Sequence, residues 1–355
     1  MKIIHLCDIT NRKSSGVSVI VPKYVEHQSK WADVLLLNVN NEEVIPIAGE
    51  YKNITLSESI SELQNGFAKP DLIVIHDIYS VRLLFYYLKY IKGKYKYIAI
   101  PHGGLMRVSQ KKSCIKKMIA NALFYRYYFK KAEAVQYLSS AEYNGSIHYN
   151  KRNIIIPNGI SVPERKLYQA HEGAFSLIYV GRIAPLQKGL DILIEAVSLD
   201  KDYFVSNNIK VLLFGADYKN GAQYLQQLIS TKGLEEIVIM NSEGVYGEEK
   251  KRKLLDSNVF IQVSRWEGMP SGLLEAFSLG LPVIVSKETG LAEDVQKSKC
   301  GFVAELNAES ILKSIKVIYE EKDTLENLSS NAYELSKKYT WDKIAEYTIE
   351  EYKKL

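Results

Sequence analysis

The chain has 355 residues, 46% of them hydrophobic, enough to bury substantial cores, and its length favours two domains over one. Cys7, Cys114 and Cys300 are odd in number and lack paired spacing, which argues against a disulfide framework or a zinc site and for a reducing compartment. The net charge of +5 hides an asymmetry: residues 1–160 hold 22 Lys+Arg against 12 Asp+Glu, and residues 161–355 hold 24 against 29. A basic half of this kind suits nucleic acid or an anionic membrane surface equally well.

Taken in chain order, "MKIIHLCDIT" begins with a short strand pattern and has no secretory apolar core. "ADVLLLNV", "DLIVIHD" and "YIAIPHG" follow in the first half, then "SLIYVG", "IKVLLFG", "IVIM", "NVFIQVS" and "PVIVS" in the second. Near-continuous apolar strands separated by helix-length segments predict parallel sheets covered on both faces, an α/β fold of two Rossmann-like doubly wound domains. The break is expected within "PNGISVPERKLYQAHEGAF", residues 157–175, with its two prolines and Asn-Gly turn signal. This divides the chain into an N-terminal domain (1–160), a C-terminal domain (161–340) and a closing helical segment (341–355), which is expected to return to the first domain as the family resemblance described below implies. No run approaches the roughly 18 to 20 apolar residues of a spanning helix. A cytoplasmic location is expected, peripheral on the inner face of the plasma membrane.

Two stretches of the second half carry chemistry. In "GRIAPLQKGLDILIEAV", Arg182 sits just past a strand and Lys188 near the start of the next helix. A lysine there opposes the positive end of the helix dipole unless an anion is bound nearby, so the pair suits phosphate; a solvated loop with two surface cations is the alternative. In "SRWEGMPSGLLEAFSLGLPVIVS", a helix opening near Ser271 buries Leu273, Leu274, Ala276, Phe277 and Leu279 and leaves Ser271, Glu275 and Ser278 as a polar stripe. Glu275 should therefore meet solvent in a cleft or accept from a diol such as a ribose. Glu267 lies at the carboxyl edge of the sheet, where ligands of open α/β folds bind, and the N–H groups of Ser271, Gly272 and Leu273 are expected to point to the same place.

These motifs resemble the family 4 retaining glycosyltransferases of GT-B fold, which carry a Glu, seven residues, Glu motif after an Arg…Lys phosphate loop. "IPHGG", "LSSAEY…IIIPNGI" and "YTWDKIAEYTIEEY" are similar to their family counterparts in the same order. The resemblance implies two domains facing across a cleft. Arg182 and Lys188 would neutralise a nucleotide diphosphate, Glu275 would hold the ribose, and Glu267 would contact the donor sugar near its anomeric centre. His102 of "PHGG" would serve the sugar and the β-phosphate, and Gly16 would mark a cleft-lining loop. No metal or other cofactor is implied, because Arg, Lys and helix N-termini neutralise the leaving diphosphate. The one Asp-x-Asp, Asp200 to Asp202, follows a helix and reads as a surface helix end.

On the acceptor side, residues 107–131 hold eight basic and no acidic residues, interleaved with Ile115, Met118, Ile119, Leu123 and Phe124. This suits an anionic membrane and a lipid-linked glycan acceptor, with no nucleic-acid partner; alternatively Ile115, Met118, Ile119 and Ala122 pack on the sheet. His76 and Asp77 are further acceptor-side candidates. The expected activity is transfer of one hexosyl residue from a nucleotide sugar, UDP- rather than GDP-linked, to a polyprenyl-diphosphate-linked glycan in capsule, O-antigen or exopolysaccharide synthesis. A GT-B-fold nucleotide-sugar isomerase or hydrolase, and a catalytically silent scaffold subunit, are the alternatives.

Overall fold

The structure, a computed structural model, describes residues 1–12, 15–40, 49–111, 113–169 and 173–355. The chain divides into two compact units, Met1–Gly159 with Trp341–Leu355, and Ile160–Thr340.

In the N-terminal unit the strands are β1 (Lys2–Cys7), β2 (Asp33–Asn38), β3 (Glu50–Asn53), β4 (Leu72–His76), β5 (Tyr97–Ile100), β6 (Ala134–Tyr137) and β7 (Asn153–Ile155). They form one parallel sheet in the order β3-β2-β1-β4-β5-β6-β7. Ile4 lies between Leu35 and Ile73, and all three are buried. Such uninterrupted apolar strands require helices on both faces. Three strands gave no sequence signal. β3, "EYKN", is polar because it is a sheet edge facing water; "AVQY" and "NII" are too short for periodicity to register.

The C-terminal unit holds β8 (Phe175–Val180), β9 (Ile209–Phe214), β10 (Val238–Asn241), β11 (Val259–Gln262), β12 (Val283–Ser286) and β13 (Gly301–Ala304). Its order is β10-β9-β8-β11-β12-β13, again all parallel. Strand order reverses between β1 and β4 in one unit and between β8 and β11 in the other. The carboxyl edge beside such a reversal is where an open α/β sheet leaves a crevice.

The last helix, Trp341–Lys353, belongs to the N-terminal unit and packs on helix Gly16–Gln28. The Trp341 indole meets Tyr24 edge-on at 5.6 Å and stacks on His27 at 5.3 Å. Asp342 accepts from Lys30 at 2.6 Å, and the Tyr352 hydroxyl donates to buried Gln136 at 2.6 Å. The "PNG" signal has a packing cause here: a Cβ on Gly159 would stand 2.3 Å from the indole, so only glycine lets the backbone pass.

Trp341 is 5% exposed, so Trp341→Ala should destabilise the N-terminal unit by about 3 to 5 kcal/mol in urea unfolding followed by circular dichroism. Tyr347 on the outer face of the same helix is 45% exposed, and its alanine variant should stay within about 0.5 kcal/mol of the parent.

Candidate active site

The β8/β11 reversal gathers the second-half candidates. After β8 the chain forms a four-residue helix, Pro185–Lys188, and turns at Gly189 (φ 67°) into helix Leu190–Ser198. A Cβ at Gly189 would lie 1.9 Å from the Val263 carbonyl oxygen, so glycine is demanded both by backbone angle and by close approach. That approach brings Lys188 beside the turn leaving β11, where its ammonium donates to Glu267 Oε1. The side chains are 12% and 10% exposed, and the Ser264 hydroxyl donates to the same oxygen at 3.1 Å. Charges this far from water need each other, because either alone would be an uncompensated buried ion. The anion that a lysine before a helix N-terminus calls for is thus supplied, in the free protein, by Glu267.

A second pair, illegible in the sequence, holds this loop in place. Arg265 forms a two-pronged bond to Asp191, both prongs 2.7 Å, and donates to the Leu186 carbonyl at 2.9 Å. A planar guanidinium matched to a carboxylate fixes direction as well as distance. The partners are 74 residues apart, beyond the reach of any local pattern.

Helix Ser271–Leu279 starts where the sequence places it and buries Leu273, Leu274, Ala276, Phe277 and Leu279. Two expectations change in detail. The Leu273 N–H turns back to the Pro270 carbonyl at 3.1 Å, leaving Ser271 and Gly272 as the N–H groups without a protein acceptor among the described residues. Ser278 is buried and donates to the Glu275 carbonyl at 2.8 Å, as a helical serine without an outside partner does. Glu275 is half-buried and pairs with Lys250 of helix Gly247–Leu255 at 2.5 Å. Arg182 forms no ion pair among the described residues and lies with its guanidinium carbon 5.1 Å from the Tyr218 ring centroid. Its carbonyl accepts from buried Tyr179 at 2.9 Å, and burial holds that phenol far above its ordinary pKa. Asp200 caps helix Lys201–Ser206 and pairs with Lys316, so its carboxylate already has a structural task.

In the N-terminal unit, the strand ends beside the reversal carry non-glycine residues in the left-handed region: Asp77 and Tyr79 (φ 72°) after β4, and His102 (φ 46°) after β5. Such conformations cost energy and gather at functional sites. Asp77 is exposed and accepts from the Ile78 N–H at 2.7 Å. His76 is corrected: with no exposed surface and both ring nitrogens bonded to other histidines, it cannot meet a ligand. Gly16 opens helix Gly16–Gln28, and among the described residues of this unit nothing stands where a Cβ would be.

The "PHGG" turn is held by a residue the sequence did not single out. Glu142 is buried, accepts from the N–H groups of Gly103 and Leu138, and is pushed up to about 7 by burial. Ser139 and Glu142 have the spacing of a capping box, a signal that marks the helix start but not the glutamate's distant partner. Burial lowers His5 and His102 to about 4 and carries His76 well below the ordinary histidine range, so these rings are neutral at pH 7.

Residues 163–335 match the family glycosyl transferases group 1. An uncharacterized glycosyltransferase of Methanocaldococcus jannaschii is 27% identical over 295 residues, 82% of this chain and 75% of that protein. The Escherichia coli UDP-Gal:alpha-D-GlcNAc-diphosphoundecaprenol alpha-1,3-galactosyltransferase is 26% identical over 180 residues, 47% of this chain and 45% of its own. Among solved structures, Anabaena HepE in complex with UDP-glucose superposes with a TM-score of 0.73 at 19% identity, covering 100% of both chains. Residues 163–335, just under half of the chain, thus match the group 1 glycosyl transferases, and the two parallel sheets have the fold of the solved GT-B glycosyltransferases.

Proposed function

We propose that the protein is a retaining hexosyltransferase that moves one sugar from a nucleotide-diphosphate sugar, UDP-linked in preference to GDP-linked, to a polyprenyl-diphosphate-linked glycan in bacterial surface-polysaccharide synthesis. The observation that carries this reading is the Lys188–Glu267 pair at the β8/β11 carboxyl edge, inside the group 1 domain. A lysine paired to a carboxylate can exchange that partner for a diphosphate, leaving Glu267 at the donor sugar. Arg182 and the free N–H groups of Ser271 and Gly272 supply further positive charge for the leaving diphosphate without a metal. Glu275 keeps one oxygen outside its Lys250 contact for ribose hydroxyls. His102 is assigned to the donor sugar. The names of the relatives favour this substrate class: the E. coli enzyme uses a UDP-sugar and a diphosphoundecaprenol acceptor, and HepE holds UDP-glucose.

The membrane assignment is supported by the surface of residues 107–131. Helix Cys114–Ala120 has no buried residue, and Ile115, Met118 and Leu123 are 64% to 66% exposed, so these side chains do not pack on the sheet. An open groove of about 490 Å³ has Arg107, Lys111 and Arg126 alongside Ile115 and Met118, a mixture suited to an anionic lipid diphosphate. Lys112 lies outside the described residues. Among the described residues no helix is long and apolar enough to cross a membrane.

Glu267→Gln should lower kcat by about 100-fold or more with little change in donor affinity. Lys188→Ala should weaken the donor about 10- to 100-fold. Equal, mild losses from both, measured by steady-state kinetics and calorimetric titration, would count against these roles. UDP should raise the melting temperature more than GDP, and the shift should survive EDTA; its loss on chelation would indicate a metal. Replacing Ile115, Met118 and Leu123 together by serine should abolish cosedimentation with vesicles of phosphatidylglycerol while leaving the UDP-induced shift intact.

A further inference from the structure

The N-terminal unit contains a chain of polar side chains that neither the motifs nor the activity accounts for. Gln28 Oε1 lies 2.9 Å from His5 Nε2, His5 Nδ1 lies 2.7 Å from His76 Nε2, and His76 Nδ1 lies 3.0 Å from His102 Nε2. His5 stands on β1, His76 ends β4 and His102 follows β5, three neighbouring strands, so the rings follow one another across a single sheet face. Their planes are nearly parallel, 25° and 28° apart, with centroids 5.0 and 5.3 Å from each other. Gln28, His5 and His76 have no exposed surface, and Tyr24 of the overlying helix packs on both inner rings, 5.9 and 5.5 Å away.

The proton positions in such a chain are not independent. The Gln28 carbonyl oxygen can only accept, so His5 carries its proton on Nε2 and offers a bare Nδ1. His76 must then donate from Nε2 and offer a bare Nδ1, and His102 must donate from Nε2. A cationic ring would donate from both nitrogens, reverse every bond between it and His102 and leave His102 protonated on Nδ1, and burial disfavours that charge. What is left is His102 Nδ1, the one nitrogen of the three rings with no protein partner among the described residues.

We infer that Gln28, His5 and His76 are positioning residues that hold His102 as its Nε2–H tautomer, so that its free Nδ1 accepts a hydrogen bond from a hydroxyl of the donor sugar and cannot pair with a phosphate oxygen. This rests on the assignment of His102 to the donor sugar made above. The direction of the chain follows the Gln28 amide, whose carbonyl oxygen faces His5: turning that amide over would reverse every bond down to His102. A side chain three residues removed from the substrate thereby decides whether the sugar meets an acceptor or a donor.

The test is two-bond 1H–15N correlation of the 15N-histidine-labelled full chain at pH 7.5, with the His102 signals among the six histidines identified from His102→Gln. His102 should show the Nε2–H pattern in the ligand-free protein, and an Nδ1–H pattern would overturn the inference outright. In Gln28→Leu, or in Gln28→Met should the first fail to fold, His102 should shift to a mixture of tautomers, and kcat/KM for the donor should fall about 3- to 10-fold. An unchanged tautomer in that variant would show that something other than the chain sets it. Adding UDP-glucose should move the Nδ1 resonance while UDP alone leaves it in place. A retained Nε2–H pattern with no response to UDP-glucose would overturn the contact to the sugar hydroxyl, and with it the donor-sugar role of His102, while the ligand-free spectra judge the chain itself.

Discussion

Both sheets are wholly parallel, and that constraint decides where chemistry can reside. Parallel strands put all their carboxyl ends on one edge, and the crossover helices that join them cover both faces. Only the edge beside a reversal of strand order is left open to a ligand. In the C-terminal unit Arg182 follows β8 and Glu267 follows β11, the two strands flanking the reversal. In the N-terminal unit the left-handed Asp77 follows β4, and His102 follows β5 next to it.

The two edges are built from different groups. At the β8/β11 edge charges are brought together and kept: Lys188 with Glu267, Arg265 with Asp191, Glu275 with Lys250. Of these only Lys188–Glu267 is nearly dry, and such a pair adds little net stability, since desolvation offsets most of the attraction, but it holds a cation ready for an anionic ligand. At the N-terminal edge a row of histidine rings stands beside the Asp8–Arg82 pair and the exposed Asp77. Three stacked imidazoles are kept neutral by burial, and the turn that carries His102 is tied by backbone N–H bonds to the buried Glu142.

Glycine has a specific part in the charged edge. Gly189 allows the segment that bears Lys188 to approach the Val263 carbonyl within a distance no Cβ tolerates, on the same side of the turn where lysine and glutamate pair. The Arg265–Asp191 fork then ties the same two segments together from the other side. Ion pair, fork and glycine thus act on one joint.

Much of the fold is legible in the chain because local rules suffice for it. Long β-branched runs between helix-length segments specify parallel strands, the Glu267 to Glu275 stretch specifies a strand-to-helix turn, and the polar stripe of helix Ser271–Leu279 singles out Glu275 by periodicity alone. Exposure of Ile115, Met118 and Leu123 is not local information: the same amphipathic pattern fits a buried face, and only the packing leaves it to solvent. His76 looked available to a ligand because it ends a strand, yet the neighbouring strands and helix Gly16–Gln28 close over it. Along the chain Lys188 lies 79 residues from Glu267, Asp191 74 from Arg265, Gly103 39 from Glu142 and His76 71 from His5. Period and composition determine which elements form and which side chains could carry charge. Only tertiary packing, which sets distance, desolvation and proton position together, decides which of those groups meet.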